Sequence, residues 1–416
     1  MMAEVVRANA EQSNCVVEDV QFHVTSKSGK LNTKVDALVK EISELYNSNN
    51  LDELVKNSHL CARHMKHVGL FEECTPFITT SHKGLNSYTV DFIVQEPRPL
   101  KGGVKLEMTM AGNPCGSLLL GKESVFGRGE SADLSFTKTM AGHNFNFTAA
   151  KPFLGWQRYS NVVGSAFRTL DNVPWNSSHL TENGFALRYN GQILSKKLMH
   201  SLCFYFGWRR FDPLANAPIQ VREHAGHTTK ISFENTLSRD TRDRPILASS
   251  GAFFKWSQEY AGLLGDSAFV KHQFDVQAAA PLFFGAFIGG PHDVRGFDLN
   301  SLGTRAGTCS LGGASSLAAA FHVYRPLVPA NMLYAMVLSQ LECLLGTSSR
   351  KEFVQDMAEN PRISAGIGLT FVYMNALRLE LNYVHPLRYV PGDVFSASEF
   401  SSEWASTSYD WKAVPK

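Results

Sequence analysis

The residues with the strongest chemical character lie in two short stretches of the second half of the chain. The first is rich in glycine and holds a single arginine; it consists of Gly289, Gly290, Pro291, Val294, Arg295, Gly296 and Phe297 with two intervening residues. Its glycines permit positive φ and close packing, while the proline stiffens the bend. The arginine needs water or a carboxylate, because an unpaired charge is costly in apolar surroundings. The stretch predicts either an ordinary hairpin turn or a loop held by an ion pair.

The second stretch is an ionic cluster in which charges of both signs alternate. It contains the arginines Arg239, Arg242 and Arg244, the carboxylates Asp240 and Asp243, and the following Pro245 and Gly251. Guanidinium and carboxylate groups at this spacing are able to pair with each other. The residues alone leave open whether the cluster faces an interior or forms an exposed turn.

Other groups of reactive side chains are weaker candidates for chemistry. One predicted helix carries His59, Cys61, His64 and His67, but they straddle its buried and exposed faces, so no metal site is predicted. The seven cysteines form no CxxC pair and indicate free thiols. Neither a phosphate-binding loop nor an ordered catalytic triad occurs. We therefore predict no enzyme, no cofactor and no metal.

Composition narrows the class of protein. The formal charge of +2 gives no field that would attract nucleic acid. Charged residues are 19% of the chain, below the average of about 25% for soluble proteins, and phenylalanine occurs 28 times. No run of about 20 apolar residues predicts a membrane-spanning helix, and residues 1–14 resemble neither a secretory signal nor a transit peptide. This bias is typical of a protein with a wide apolar exterior.

Residues 15–97 are predicted to form a small α+β domain with the order β-α-α-β-β. Alternation over residues 20–24 predicts a strand, and a helix follows with Val35, Leu38, Val39 and Ile42 on its buried face. A second helix begins at Asn50 with Glu53 in the capping-box position, buries Val55 among other residues, and ends at Gly69. Two strands are predicted over 77–80 and 88–94, and prolines then form a stiff linker.

From residue 101 onward the period of hydrophobic residues changes to two. Large apolar residues alternate with polar ones in segments that include 104–110, 132–137, 185–190, 204–209, 230–234, 273–278 and 377–382. Long strands with this alternation are typical of transmembrane barrels, whose closure removes unpaired edges. The remaining length predicts about 16 strands. We predict a mostly β protein in which residues 101–416 form a transmembrane antiparallel barrel; a soluble β-sandwich is the alternative.

Three motifs resemble those of the barrel-assembly insertases of outer membranes, which combine POTRA domains with a 16-stranded barrel. The first is the glycine-rich stretch, similar to a family loop that folds back into the barrel. The second is the D-x-R-D-x-P segment formed by Asp240, Arg242, Asp243 and Pro245, with Gly251 after it. The third covers residues 362–386, which resemble the family's penultimate strands. Together with the predicted domains, the resemblance extends over essentially the whole chain.

The resemblance implies the insertion and assembly of β-barrel precursors without a chemical reaction. A single POTRA domain and no export signal indicate the mitochondrial members, the central barrel of the sorting and assembly machinery. The expected location is the mitochondrial outer membrane, with the POTRA domain toward the intermembrane space. Expected partners are β-barrel precursors, membrane lipid and accessory subunits of the complex, and no nucleic acid. A passive pore or a structural barrel is the alternative function.

Two site hypotheses follow for such a barrel. The first strand, bounded by Gly102, Gly103 and Gly112, is expected to open and template incoming strands, with a gate formed by Val104, Leu106, Met108, Met110 and Gly112. Arg295 is expected to be latched to Glu380 on the polar face of a late strand, and Glu234 and Asp275 are weaker candidates. The C-terminus departs from the family pattern, because residues 396–408 are rich in serine. The last strand after residue 395 is therefore uncertain.

Overall fold

The structure, a computed structural model, contains two separate β-sheets that carry most of the chain and a small two-stranded hairpin. It describes residues 15–25, 31–81, 86–98, 100–108, 114–140, 142–155, 159–173, 176–193, 198–244, 247–281, 287–288, 304–306, 309–312, 315–327, 332–345, 355, 361–373, 377–390, 393 and 398–404. In these residues no helix is long and apolar enough to cross a membrane.

The first part, which we call the N-terminal unit, has the predicted order β-α-α-β-β. Its elements are β1 (Val16–Val24), α1 (Val35–Ile42), a single 3₁₀ turn (Leu45–Asn47), α2 (Leu51–His67), β2 (Glu73–Thr80) and β3 (Ser87–Gln95). The strands lie in the order β1-β3-β2, with β1 parallel and β2 antiparallel to β3. A parallel neighbour requires a crossover, and the two helices supply it.

The core of the N-terminal unit lies between the helices and one face of the sheet. It includes Leu38, Ile42, Leu45, Leu54, Ala62, Met65, Leu70, Phe71, Val90, Phe92 and Val94. The predicted burial of Leu38 and Ile42 is confirmed, but that of Val35, Val39 and Val55 is wrong, because all three are exposed. In α1 the buried face instead contains Glu41. A carboxylate occupies the core there because it is hydrogen-bonded to a buried histidine of α2.

The start of α2 differs in detail from the predicted capping box. Asn50 is the N-cap residue but makes no capping hydrogen bond through its side chain. The backbone N–H of Asn49 donates instead to Oε2 of Glu53, over 3.0 Å. The acidic residue still satisfies an amide at the start of the helix, one residue earlier than expected.

The second part, which we call the large sheet, has sixteen strands, all antiparallel to their neighbours. They are β4 (Leu100–Met108), β5 (Pro114–Glu123), β6 (Ser131–Lys138), β7 (His143–Pro152), β8 (Asn161–Val173), β9 (Ser178–Gln192), β10 (Leu198–Pro213), β11 (Gly226–Asp240), β12 (Gly251–Gly265), β13 (Phe269–Pro281), β14 (Phe287–Ile288), β17 (Ser315–Pro326), β18 (Leu333–Leu345), β19 (Arg362–Tyr373), β20 (Leu377–Arg388) and β21 (Ser398–Trp404). A short helix, α3 (Ile219–Arg222), lies between β10 and β11. A separate hairpin, β15 (Thr304–Ala306) and β16 (Cys309–Gly312), lies between β14 and β17.

Neighbouring strands of the large sheet follow chain order, apart from β14 pairing with β17. The sheet therefore begins at β4 and ends at β21. Across the described residues no ladder joins these two end strands. The region after residue 395, where the sequence left the last strand uncertain, contains β21 in register with β20, as in the pair Leu381 and Phe400.

The predicted alternation of exposed and covered residues is present along the strands. In β13 the apolar Phe274 and Val276 are exposed. In the late strands one face is exposed and apolar, whereas the other is buried and contains Tyr324, Tyr334, Met336, Leu338, Val384 and the polar residues of β20. Because side chains of a strand alternate between faces, this pattern assigns every second residue of the late strands to the buried face.

Candidate functional site

The buried polar face of β20 holds an ion pair within a single strand. Nε of Arg378 donates to Oε1 of Glu380 over 2.6 Å, and a second guanidinium nitrogen donates to the same oxygen. That nitrogen also donates to the hydroxyl of Tyr324 on β17, over 2.8 Å. The Arg378 and Glu380 side chains are only 4% and 2% exposed. Residues two apart share one face of a strand, which is why the pair forms.

Neighbouring side chains complete the surroundings of the Glu380 carboxylate. Thr370 of β19 contacts Oε1 over 3.4 Å, and the amide of Asn382 contacts Oε2 over 3.3 Å. Next to this group, Nε2 of Gln340 and Nε2 of His322 are 3.0 Å apart, with both side chains buried. A buried carboxylate is stabilised only when it is paired and hydrogen-bonded, and the late strands provide both.

The glycine-rich stretch from Gly289 to Phe297 lies outside the described residues. The predicted contact between Arg295 and Glu380 therefore stays a prediction. The structure buries Glu380 and gives it Arg378 as a partner, which the sequence analysis did not identify. The alternative carboxylates have other contacts, since Glu234 accepts a hydrogen bond from Thr236 and Asp275 contacts Gln273.

The ionic cluster of the second motif lies at the turn between β11 and β12. Arg242 donates to both carboxylate oxygens of Asp240, at 3.0 and 2.7 Å, and to the amide oxygen of Gln277 on β13 at 2.6 Å. Its guanidinium carbon lies 4.8 Å from the centre of the Phe253 ring on β12. Arg242 thus joins the turn to two strands. Pro245 lies outside the described residues.

Asp243 organises the same turn through its carboxylate. The backbone N–H groups of Ser249 and Ser250 donate to Oδ1 over 2.9 and 3.1 Å, and the Ser249 hydroxyl donates to Oδ2 over 2.7 Å. Burial opposes ionisation of Asp243, but these hydrogen bonds, together with one from Arg244, outweigh it and lower its pKa to about 2. Asp243 therefore carries a negative charge that fixes the turn.

Gly251 ends this turn in a conformation that favours glycine. Its φ is +102°, and a Cβ atom added there would lie 2.4 Å from the backbone oxygen of Thr241. Next to Gly251, the two segments are joined by a hydrogen bond in which the backbone N–H of Thr241 donates to the backbone oxygen of Ala252 over 2.9 Å. A larger residue at position 251 would break this close approach of the two strands.

The predicted gate strand corresponds to β4, which is hydrogen-bonded to β5. Val104 and Leu106 are 77% and 83% exposed. Gly102 and Gly103 were expected to bound the strand, but they lie inside it, paired with residues of β5. Glycine weakens a strand from within, so these two residues lower the stability of β4 at the edge of the sheet. Met108 ends the strand, and Met110 and Gly112 lie outside the described residues.

The histidines and the cysteine of α2 do not form a metal site in the part of the chain that the structure describes; His64 and Cys61 contact Glu41 instead. Nδ1 of His64 lies 2.6 Å from Oε2 of Glu41, and the Cys61 thiol donates to the backbone oxygen of the same residue. His59 is exposed. Among the described residues no group of three or more potential ligands is placed to hold a metal ion. Burial raises the pKa of the nearby Cys74 thiol to about 12, so that thiol is inert.

A further contact that the sequence did not indicate holds the hairpin of β15 and β16. Cys309 is buried against Val221 of α3 and Ala217 just before it, with Phe211 of β10 packed on the group. Its Sγ atom lies 3.5 Å from Oγ of Ser177, in the turn between β8 and β9. The hairpin is thereby attached to α3, to β10 and to the turn between β8 and β9.

Comparison with known proteins identifies the family. The model described as the Omp85 superfamily domain matches residues 125–288 and 285–401. The chain belongs to the Omp85 superfamily. Both matched ranges lie within the large sheet and its connections, and they include the ionic turn, the glycine-rich stretch and Glu380.

Individual relatives of this Omp85 chain extend over nearly its whole length. It is 30% identical to the sorting and assembly machinery component 50 homolog B of Xenopus laevis, over 94% of this chain and 92% of that protein. It is 29% identical to the corresponding homolog of Mus musculus, over 92% and 88% of the two chains. Among solved structures, BamA from Haemophilus ducreyi lacking POTRA domains 1-3 is similar, with a TM-score of 0.72, 13% identity and coverage of 94% and 85%. The fold is therefore BamA-like and mostly β.

Proposed function

We propose that this protein inserts and assembles β-barrel precursors in the mitochondrial outer membrane, without a chemical reaction. One observation carries the proposal: in a chain of the Omp85 superfamily, the sixteen-stranded antiparallel sheet has two end strands, β4 and β21, that no ladder joins within the described residues. Unpaired strand edges are templates for another strand. In the proposed function, residues 101–416 are the barrel and its seam lies between β4 and β21.

Strand length and surface support a position in the membrane. β17 has 12 residues, which at about 3.3 Å each give a length of about 40 Å. With a tilt of about 45° the strand crosses about 28 Å, close to the hydrocarbon thickness of about 30 Å. Exposed apolar residues of the late strands, such as Val337, Ile367 and Leu381, would face lipid. β17 is thus long enough to span a bilayer, and the exposed face of the late strands is apolar enough to face lipid.

The proposed mechanism is β-augmentation at the seam. Lys105 and its neighbours in β4 present backbone groups to which the last strand of a precursor pairs, as in other cases of strand addition. Gly102 and Gly103 lower the stability of that edge, while the latch between Arg295 and Glu380 holds the interior loop. The partners are β-barrel precursors, lipid and accessory subunits of a sorting and assembly complex.

The N-terminal unit, residues 15–97, is in this proposal a POTRA domain that faces the intermembrane space. Its order of elements and its attachment directly before β4 support the assignment. An unfolded precursor crossing that compartment would meet the domain before it meets the seam. The similarity to sorting and assembly machinery relatives supports the mitochondrial location.

A crosslinking experiment tests the seam. Lys105→Cys in β4 is expected to form a disulfide with a cysteine in the last strand of an arrested precursor. The matched control is Lys255→Cys in β12, a strand that is hydrogen-bonded on both edges. Crosslinks at 255 as strong as those at 105, or none at 105, would contradict insertion at this seam.

Depletion tests the function itself. Loss of the protein is expected to block assembly of newly imported β-barrel precursors while matrix import continues. If the purified protein conducts ions in planar bilayers and its depletion leaves barrel assembly intact, the protein is a passive pore and the proposal is wrong.

A further inference from the structure

Two turns of the large sheet make direct contact with the N-terminal unit. In the turn between β5 and β6, the oxygen of Gly127 accepts a hydrogen bond from the backbone N–H of Lys34 over 2.8 Å. Nε of Arg128 in the same turn donates to Oδ2 of Asp36 over 2.9 Å. In the connection between β7 and β8, the backbone N–H of Gly155 donates to Oε1 of Glu41 over 2.7 Å. We call this set of contacts the joint.

Glu41 is the residue that ties the two sides of the joint together. Its Oε1 accepts from Gly155 of the large sheet, whereas its Oε2 lies 2.6 Å from Nδ1 of His64 in α2. The side chains of Glu41 and His64 are both 0% exposed. A buried carboxylate is costly unless its hydrogen bonds are made. Separation of the two parts would expose or strip the carboxylate, so the contact is favoured only when both parts are in place.

Aromatic packing extends the same contact beyond the carboxylate. Tyr159 follows Gly155 in the connection and has a φ of +66°. Its ring lies 5.1 Å from the His64 ring, edge to face, and 5.8 Å from the His67 ring. Burial, with a smaller contribution from His64, lowers the pKa of His67 and favours its neutral form. The tyrosine ring therefore packs against two histidine rings of α2.

The backbone of both turns is shaped for close approach. Gly127, Gly129 and Gly155 have φ values of +80°, +80° and +79°. A Cβ atom at Gly129 would lie 2.9 Å from Cγ1 of Val68, and one at Gly155 would lie 3.3 Å from the backbone oxygen of Lys40. Side chains at these positions would push the N-terminal unit away, and glycine permits the contact.

We propose that Glu41 is a positioning residue that fixes the N-terminal unit in one orientation on the strands next to β4. The buried contacts make the unit and the turns after β5 and β7 one rigid body, despite the short linker before β4. Its consequence for precursor transfer rests on the proposed function. A rigid unit would deliver a precursor to the seam side of the sheet at a fixed distance, whereas a swinging one would not.

Hydrogen–deuterium exchange of the full-length protein in lipid nanodiscs tests the joint without any precursor. The reporters are the amides of Gly155 and Lys34, which are each bonded across the joint, and the amides of β3, which belong to the core of the unit. In Glu41→Ala, both joint amides are expected to exchange at least about tenfold faster, the factor that a loss of about 1.4 kcal/mol gives. The β3 amides are expected to stay unchanged.

Three further variants keep the test decisive. Gly155→Val perturbs the joint on the large-sheet side and is also expected to accelerate exchange of the Lys34 amide. Glu41→Gln retains an acceptor for Gly155 and a donor toward His64, and is expected to restore protection. Gly226→Val is the matched control, because Gly226 also has a positive φ, +127°, but nothing within 4 Å of an added Cβ. It is expected to leave both joint amides protected.

Two exchange results would overturn the proposal. If Lys34 stays protected in both Glu41→Ala and Gly155→Val, the two turns do not form one rigid contact. If the β3 amides accelerate as much as the joint amides, Glu41 holds the fold of the unit rather than its placement. In mitochondria, variants with an open joint are expected to assemble precursors more slowly, and unchanged assembly would overturn the positioning role. If depletion of the unmodified protein leaves precursor assembly intact, the proposed function is refuted, whereas the exchange result for the joint remains valid.

Discussion

Replacing Glu380 with glutamine tests how the interior of the late strands is held together. The substitution removes the charge that Arg378 contacts through two guanidinium nitrogens, with both side chains at most 4% exposed. Removing one partner of a buried ion pair costs about 3–5 kcal/mol, because the other charge stays buried. We therefore expect Glu380→Gln to lower the free energy of unfolding by about that amount.

A second ion pair of the same spacing provides the matched control. Arg210 and Asp212 are also two residues apart on one strand, with Nε donating to the carboxylate over 3.0 Å. Their side chains are 54% and 43% exposed, and exposed pairs contribute about 0–1 kcal/mol. Urea titration of the protein refolded into lipid vesicles, followed by protease protection, measures both variants. If Glu380→Gln costs no more than Asp212→Asn, the assignment of a buried pair is refuted.

A double-mutant cycle then tests the predicted latch. Arg295→Ala is expected to impair assembly of the protein and import of precursors, because it leaves Glu380 with one cation fewer. Contacting residues show coupling energies of about 0.5–3 kcal/mol, whereas distant ones add within about 0.5 kcal/mol. We expect a coupling above about 1 kcal/mol between Arg295→Ala and Glu380→Gln. Additive effects would refute the latch and leave Arg378 as the partner that the structure describes.

Three other predictions concern the turns. Gly251→Val is expected to destabilise the sheet by more than about 2 kcal/mol in the same titration, since it adds a clash with a backbone oxygen to the cost of a positive φ; Gly226→Val should cost less, and equal costs would contradict the clash. Asp243→Ala is expected to cost about 1 kcal/mol after solvent screening. Because the pKa of Asp243 is about 2 in the folded protein, this stabilisation is present above about pH 4 and lost as the pH falls toward 2. If the unmodified protein and Asp243→Ala lose the same free energy of unfolding across that range, the prediction is contradicted. Ser177→Cys is expected to form a disulfide with Cys309 on oxidation, because Oγ of Ser177 lies 3.5 Å from Sγ of Cys309. Peptide mapping detects the disulfide, and failure to form it would contradict the packing of the hairpin.

Much of the architecture was predictable because it depends on local periodicity. Alternation of apolar and polar residues determines which face of a strand is covered, and it correctly assigned Phe274 and Val276 to the exposed face and Glu380 to the interior. The order of strands and helices in the N-terminal unit followed from the change between periods of 3.6 and two. These signals require only neighbouring residues, so one sequence is sufficient to read them.

Features that depend on distant partners were missed. The helical pattern placed Val35 and Val39 inside, because nothing in the sequence of α1 indicates that Glu41 finds a histidine 23 residues later and a backbone amide 114 residues later. The packing of Cys309 was equally invisible, since its contact Ser177 is 132 residues away. Propensity and pattern describe an element by itself, whereas tertiary contacts decide which face of it is buried.

The first strand of the large sheet and the late strand next to its other end differ in side-chain burial, which bears on how a seam would open. In β4 the described side chains from Leu100 to Leu106 are all exposed, and two glycines interrupt the strand. In β20, by contrast, Arg378, Glu380 and Val384 are buried. Segments with few buried contacts open at a lower free energy than packed ones. Opening of the proposed seam is therefore expected to move β4 away from the more deeply buried late strands, so that the incoming strand pairs first with β4. The turns after β5 and β7, on the same side of the sheet, contact the N-terminal unit through Lys34, Asp36 and Glu41.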